Sequence, residues 1–192
     1  LHLSIRRQRQ MCIRDRDIDT GEVLLDSYVK PYFTEDWPEA RRVNHITKEM
    51  VCNAPYIYEL LPRLNQVLAQ VKTIVGYNFT GFDNGFLTRY GASFNDETIV
   101  EDLSNIFAAI YGEFSPKHGD FKFKNLSTCA DYFGYDWGEE TAHNSLADCR
   151  ATAFCYQKAL EEKYQALYQE NIHKRDCGFF DESYDACGDY NG

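Results

Sequence analysis

The chain has 192 residues, of which 44% are apolar and 15% aromatic, and it carries a formal net charge of −10. That length and composition suit one compact domain with a sizeable core and exclude a wholly disordered chain. The acidic balance excludes a protein that grips nucleic acid through a broad basic surface. It leaves room for an enzyme that admits one strand end to a small site whose carboxylates hold cations.

Residues 1–16, LHLSIRRQRQMCIRDR, hold five arginines against one acid, Asp15, and the sequence without them would carry −14. A basic arm for nucleic acid is one reading. The string also resembles translated sequencing-adapter read-through, and on that ground it is expected to be non-native and outside the fold. From Asp17 the pattern predicts a strand end, a turn at Asp19-Thr20-Gly21 and a strand over Val23–Val29 stopped by Pro31. Ile46–Val51 reads as a short helix, and Pro55 opens another whose Leu60, Leu61, Leu64, Val67 and Leu68 fall at helical spacing, with Pro62 predicting a kink or a late start.

Thr73–Gly76 reads as a short buried strand, and Phe82, Phe86, Leu87 and Tyr90 as one face of a helix ending near Gly91. A strand over Thr98–Val100, a helix over Leu103–Tyr111, a loop over GEFSPKHGDFKFK and a helix over Leu126–Phe133 follow. The longest helix is expected from Ser145 to Asn171 behind an Asn144-Ser145 cap. Residues 175–192, rich in Gly, Asp and Tyr, are expected to be a disordered acidic tail, which bounds the folded domain at 17–174. Strands alternating with helices indicate an α/β layer fold with a mixed sheet.

The seven cysteines form neither a CxxC pair nor a zinc spacing, which points to a reducing compartment and a cytoplasmic location. No apolar run approaches the ~20 residues that span a bilayer, so no membrane partner is expected.

Two constellations carry chemistry. In IVGYNFTGFDNGFL, residues 74–87, a strand runs into a turn and then into a helix whose first turn presents Asp83. A carboxylate there stands at the C-terminal edge of a strand, where α/β folds take ligands, and near a positive helix end. Read singly, Asp83 is a helix-capping acid and Asn78 a turn residue. In TAHNSLADC, residues 141–149, His143 precedes the long helix and Asp148 lies about one turn inside it. That spacing lets one residue hold a cation while the other takes a proton from water on it, and a helix N-terminus favours the neutral imidazole. Read singly, the two are a surface histidine and a solvated aspartate.

Taken together, NFTGFDNGFL resembles the second motif of the DEDDh exonucleases, the family of the epsilon proofreading subunit of bacterial DNA polymerase III, ribonuclease T and oligoribonuclease. AHNSLADC resembles their last motif, a histidine followed five positions later by aspartate. TGEVLLDSYVKP resembles the family's second hairpin, VNHITKEMVCNAP its GIT-x-E-M-V stretch with His45 in the glycine's place, EDLSNIF its strand end bearing Asp102, and KNLSTCADYFG the helix before the last motif. The resemblance implies an RNase H-like α/β domain, a mixed sheet flanked by helices. It also implies two divalent cations, magnesium or manganese, and 3′–5′ release of nucleoside monophosphates from single-stranded DNA or RNA 3′ ends. Asp148 and Asp83 would be metal ligands, His143 the general base, and Asn78 and Phe82 the nucleotide pocket. A DNA polymerase is a partner of some members.

The family's first motif, Asp-x-Glu on a central first strand, has no match here. Asp17-Ile18-Asp19 and Asp15-Arg16-Asp17 imitate it, but CIRDR does not read as a buried strand. The central first strand is therefore expected to be missing and the activity impaired. The alternative is a catalytically inactive module that binds nucleic-acid ends or a polymerase.

Overall fold

The computed structural model describes residues 12–32, 36–138 and 145–180. Its first element corrects the sequence reading, because Cys12–Arg16 is a strand, β1. It pairs antiparallel with β2, Val23–Tyr28, with Asp15 opposite Leu25 and a bulge before Arg16. The turn between them forms where expected. Asp17 Oδ1 accepts hydrogen bonds from the backbone N–H groups of Asp19 (3.0 Å) and Thr20 (2.7 Å) and from the Thr20 hydroxyl (2.9 Å). That Asx-type turn closes a hairpin, and a hairpin supplies a strand partner that a five-residue basic segment offers no periodicity to predict.

Helix α1, Pro38–Asn44, was not foreseen; Pro38 stands in its first turn and His45 ends it at φ 57°. His45 occupies the position of the family's glycine in the GIT stretch, and the left-handed backbone explains the glycine, since any side chain there costs ~1–2 kcal/mol. The indole of Trp37 donates from Nε1 to the Ile46 carbonyl at 2.8 Å, and Trp37, Ala40, Ile46 and Val51 form a small core of their own. Helix α2 is shorter than expected, Lys48–Val51. Helix α3, Ile57–Leu68, runs straight through Pro62, and Ile57, Leu64 and Leu68 bury one face against Leu25 and Val29. Pro62 falls in the helix's second turn, where it removes one backbone hydrogen bond without ending the helix.

Strand β3 is Thr73–Gly76, helix α4 is Asp83–Arg89, and β4 is Ile99–Asp102, beginning one residue and ending two residues later than expected. β3 and β4 pair in parallel, from Thr73 opposite Ile99 to Gly76 opposite Asp102. Helix α5, Leu103–Tyr111, has the expected bounds, and the expected loop after it contains a tight hairpin, β5 Phe114–Ser115 with β6 Asp120–Phe121. Helix α6, Leu126–Phe133, is as predicted, capped by Asn125, whose Oδ1 accepts from Thr128 N at 2.8 Å.

The single long C-terminal helix is two, α7 Ser145–Ala159 and α8 Glu162–Asp176. Glu161 turns extended at ψ 140°, and the Gln165 side-chain amide reaches back to the Ala159 carbonyl at 2.8 Å. The break lets α8 fold onto α5, where Asn171 Nδ2 donates to the Ala109 carbonyl at 2.7 Å. Order also extends past the expected boundary at 174. Arg175 reaches Asp120 at 3.1 Å, and Phe180 stacks on Phe114 with ring centroids 4.6 Å apart. Residues 181–192 lie outside the described residues, as does most of the segment 1–16.

The main core lies where α5, α6 and α7 meet, with Leu103, Phe107, Cys129, Ala130, Cys155 and Ala159 all fully or almost fully buried. The result is the expected α/β fold of small sheets flanked by helices. Among the described residues the strands form three two-stranded sheets rather than one, so β1–β2 and β3–β4 each keep edges free of strand partners.

Candidate active site

The site is built on the ends of β3 and β4. Their parallel register sets Asp102 level with Gly76, and the chain then turns from β3 into α4. Asp102 is 7% exposed and ties that turn down. Its Oδ1 accepts from Asn78 N at 2.8 Å, and its Oδ2 accepts from Thr80 N and the Thr80 hydroxyl, both at 2.9 Å. Oδ1 also caps α5, accepting from Ser104 N at 3.1 Å and the Ser104 hydroxyl at 2.7 Å. Burial pushes this carboxyl's pKa up, but the hydrogen bonds from Ser104 and Thr80 outweigh it and hold the group below the usual aspartate range.

Two glycines let the turn close. A Cβ on Gly76 would lie 2.5 Å from Phe79 Cβ, and one on Gly81 would lie 2.7 Å from Asn78 Oδ1. Asn78 takes φ 58°, a left-handed conformation that asparagine tolerates better than most residues. Gly76→Ala is expected to destabilise the protein by about 1–3 kcal/mol, as overpacking does. A urea titration showing an unchanged midpoint would contradict this packing of Phe79 against the turn.

The turn delivers Phe82 and then Asp83, the first residue of α4, both half-buried, with the Asn84 amide donating to the Phe79 carbonyl at 3.0 Å. Asn78 itself is exposed on the same turn. Facing this region is a residue that sequence reading rejected. Asp15 of β1 is half-buried, and burial, followed by the negative charge of Asp83, pushes its pKa up to about 6. Two carboxylates within electrostatic reach of each other in a half-buried place favour either a shared proton or a cation.

Helix α7 lies across the same strands. Ala147, Ala151, Cys155 and Ala159, four residues apart, are all fully buried, and this stripe of small side chains lets α7 pack closely on its neighbours, with Cys155 and Ala159 in the core shared with α5 and α6, while the helix also contacts β1 and β3. The Tyr156 hydroxyl donates to Glu101 Oε2 of β4 at 2.7 Å, and Gln157 Nε2 donates to the Ile18 carbonyl at 3.3 Å. Burial, then Glu101, pushes the Tyr156 hydroxyl up to about 12, so it stays a donor at neutral pH. Asp148 follows Ala147 and is therefore half-buried at the margin of that stripe, on the helix packed against the strand of Asp15. His143 lies outside the described residues, so the expected His143–Asp148 pair is represented by its aspartate alone.

The structure thus brings Asp15 within electrostatic reach of Asp83, puts Asn78 and Phe82 on the turn of Asp83, and carries Asp148 on the helix that packs against these strands. Among the described residues no three His, Cys, Asp or Glu side chains gather into a complete metal-ligand group. The sequence argues against Asp15-Arg16-Asp17 as the first motif because the strand that carries Asp15 has no apolar pattern. Sequence reading noted Asp102 only as a residue after a strand. The signal for its anchoring role was the Asp-x-Ser spacing of a helix cap.

No curated protein and no solved structure matches the chain. A family model described as exonuclease matches residues 13–156, a span that begins within β1 and ends in α7 and so contains Asp15, Asn78, Phe82, Asp83, Asp102 and Asp148. On that match across most of its length, the chain belongs to the exonuclease family, nucleases that act on nucleic acid.

Proposed function

We propose that this exonuclease is of the DEDDh class and shortens DNA or RNA strands from the 3′ end, releasing nucleoside monophosphates. The observation that carries the reading is the placement of Asp15 on β1, half-buried and within electrostatic reach of Asp83, where burial first and then the charge of Asp83 raise its pKa. Such a pair fits a divalent cation, with Asp148 on the covering helix as the further ligand. Magnesium or manganese ions held there would polarise the attacking water and offset the charge on the scissile phosphate. His143 would serve as the general base of the reaction, and Asn78 and Phe82 would hold the terminal nucleotide. Asp15 gives one carboxylate where the family's Asp-x-Glu gives two, so cation affinity and turnover are low. That shortfall is also what favours the second reading, a module that binds strand ends without cutting them.

The test uses 5′-labelled single strands of DNA and of RNA incubated with manganese. The expected result is a ladder that shortens one nucleotide at a time and stops on addition of EDTA. Internal fragments, or cleavage indifferent to the chelator, would contradict the proposal. Binding without cleavage in saturating manganese would select the second reading.

A further inference from the structure

The segment Glu113–Lys124, which includes the β5–β6 hairpin, is not used by the site. It contains Lys117, Lys122 and Lys124 against Glu113 and Asp120, a local charge of +1 in a chain of −10. Lys122 and Lys124 both bond to Glu113, and Arg175 is shared between Asp120 and Asp176, so these three acids are balanced by three cations and the exposed Lys117 leaves the segment net positive. Between the two lysines stands Phe123, 66% exposed, the most exposed large apolar side chain among the described residues. Its neighbours in the hairpin, Phe114 and Phe121, pack with Phe180, so Phe123 is left out of a core that its own segment helps to build.

The segment is joined to the site. The Tyr77 hydroxyl donates to the carbonyls of Lys124 (2.9 Å) and Asn125 (3.1 Å), and Tyr77 immediately precedes Asn78. One tyrosine side chain therefore bridges the catalytic turn and the end of the basic aromatic segment. Burial pushes that hydroxyl far above the usual tyrosine range, which keeps it a donor.

We propose that Phe123, flanked by Lys122 and Lys124 and supported by Lys117, is a landing surface for the single-stranded nucleic acid that leads up to the cleaved end. A base stacks on the Phe123 ring while the lysines meet neighbouring phosphates. Stacking tolerates any base, and neither contact reads the sugar, so DNA and RNA bind alike. The proposal rests on the nuclease reading, since it assigns how the strand reaches the Asp83 and Asp148 side.

The test is fluorescence anisotropy with labelled 12-nucleotide DNA and RNA strands in EDTA, so that binding is read without cleavage. Phe123→Ala is expected to weaken binding about tenfold, and Phe123→Trp to restore it. Lys117→Gln should lower the dependence of log affinity on log salt by about 0.7, while Leu160→Ala in the exposed break between α7 and α8 changes neither. Equal affinity of wild type and Phe123→Ala overturns the proposal and leaves Phe123 as a surface for a protein partner. The two readings separate cleanly. Strand binding through Phe123 without nuclease activity sinks the catalytic reading alone, and activity with an indifferent Phe123 sinks this one alone.

Discussion

Asp102→Ala is expected to cost about 3–4 kcal/mol of stability and to loosen the turn between β3 and α4. The carboxylate accepts five hydrogen bonds, three from the turn and two from the first residues of α5, and its removal leaves the Asn78 and Thr80 amides without their partner. Single charge-assisted hydrogen bonds contribute about 1.5–3 kcal/mol, and bonds sharing one acceptor group are not additive, which sets the total below their sum. Asp102→Asn keeps the size but turns one acceptor into a donor facing the Thr80 amide, and should recover about half the loss. Hydrogen exchange reads the local effect, with the Asn78 and Thr80 amides exchanging freely in the alanine variant. Because the carboxyl's pKa is lowered in the folded state, its contribution is present above its unfolded value of 3.8 and fades as pH falls through the folded one. Wild type and variant should therefore converge in strong acid. Retained protection of both amides in Asp102→Ala would show that the turn is held by something else.

Asp15→Asn is expected to do the opposite and stabilise the apo protein at neutral pH. The wild-type carboxyl has its pKa raised from 3.8 to about 6, chiefly by burial and then by Asp83, while Arg16 beside it turns away to the Gly21 carbonyl. A raised carboxyl pKa leaves folding uncompromised below the unfolded value and costs stability progressively as pH rises from the unfolded value of 3.8 to the folded one, levelling off above it. The cost approaches ~3 kcal/mol above pH 6, equivalent to a melting-temperature difference on the order of 5 °C or more. Melting curves of the two proteins should coincide near pH 4 and separate by pH 7.5. Manganese should close the gap at pH 7.5 by stabilising only the wild type. Identical curves across this range would mean that Asp15 is not held against Asp83.

Helices α5 and α6 and strand β3 were legible in the sequence because each is a short apolar segment bounded by its own cap or turn, and their bounds were recovered to the residue. Asp83 and Asp148 stand out in the sequence for a different reason, as members of motifs with fixed spacing, and their role as cation ligands is the proposal made above. What was not legible depended on partners distant in sequence. β1 is a strand because β2 pairs with it, not because CIRDR alternates. The break at Leu160 exists because α8 gains more by packing on α5 than by prolonging α7, and the helical pattern of the sequence runs through both. The order of Arg175–Phe180 comes from Asp120 and Phe114, some 55–66 residues earlier in the chain. His45 is the intermediate case, a departure from a motif whose backbone reason emerged only with its φ.

The central claim is that the turn after β3 and the start of α7 supply carboxylates to one cation. Titration of the protein with manganese, followed by the loss of the free-ion paramagnetic resonance signal, tests it without reference to catalysis. Asp83→Asn and Asp148→Asn are each expected to weaken manganese binding by more than about tenfold, and Asp131→Asn on the exposed face of α6 to leave it unchanged. Wild-type affinity in either Asp83→Asn or Asp148→Asn would contradict the claim.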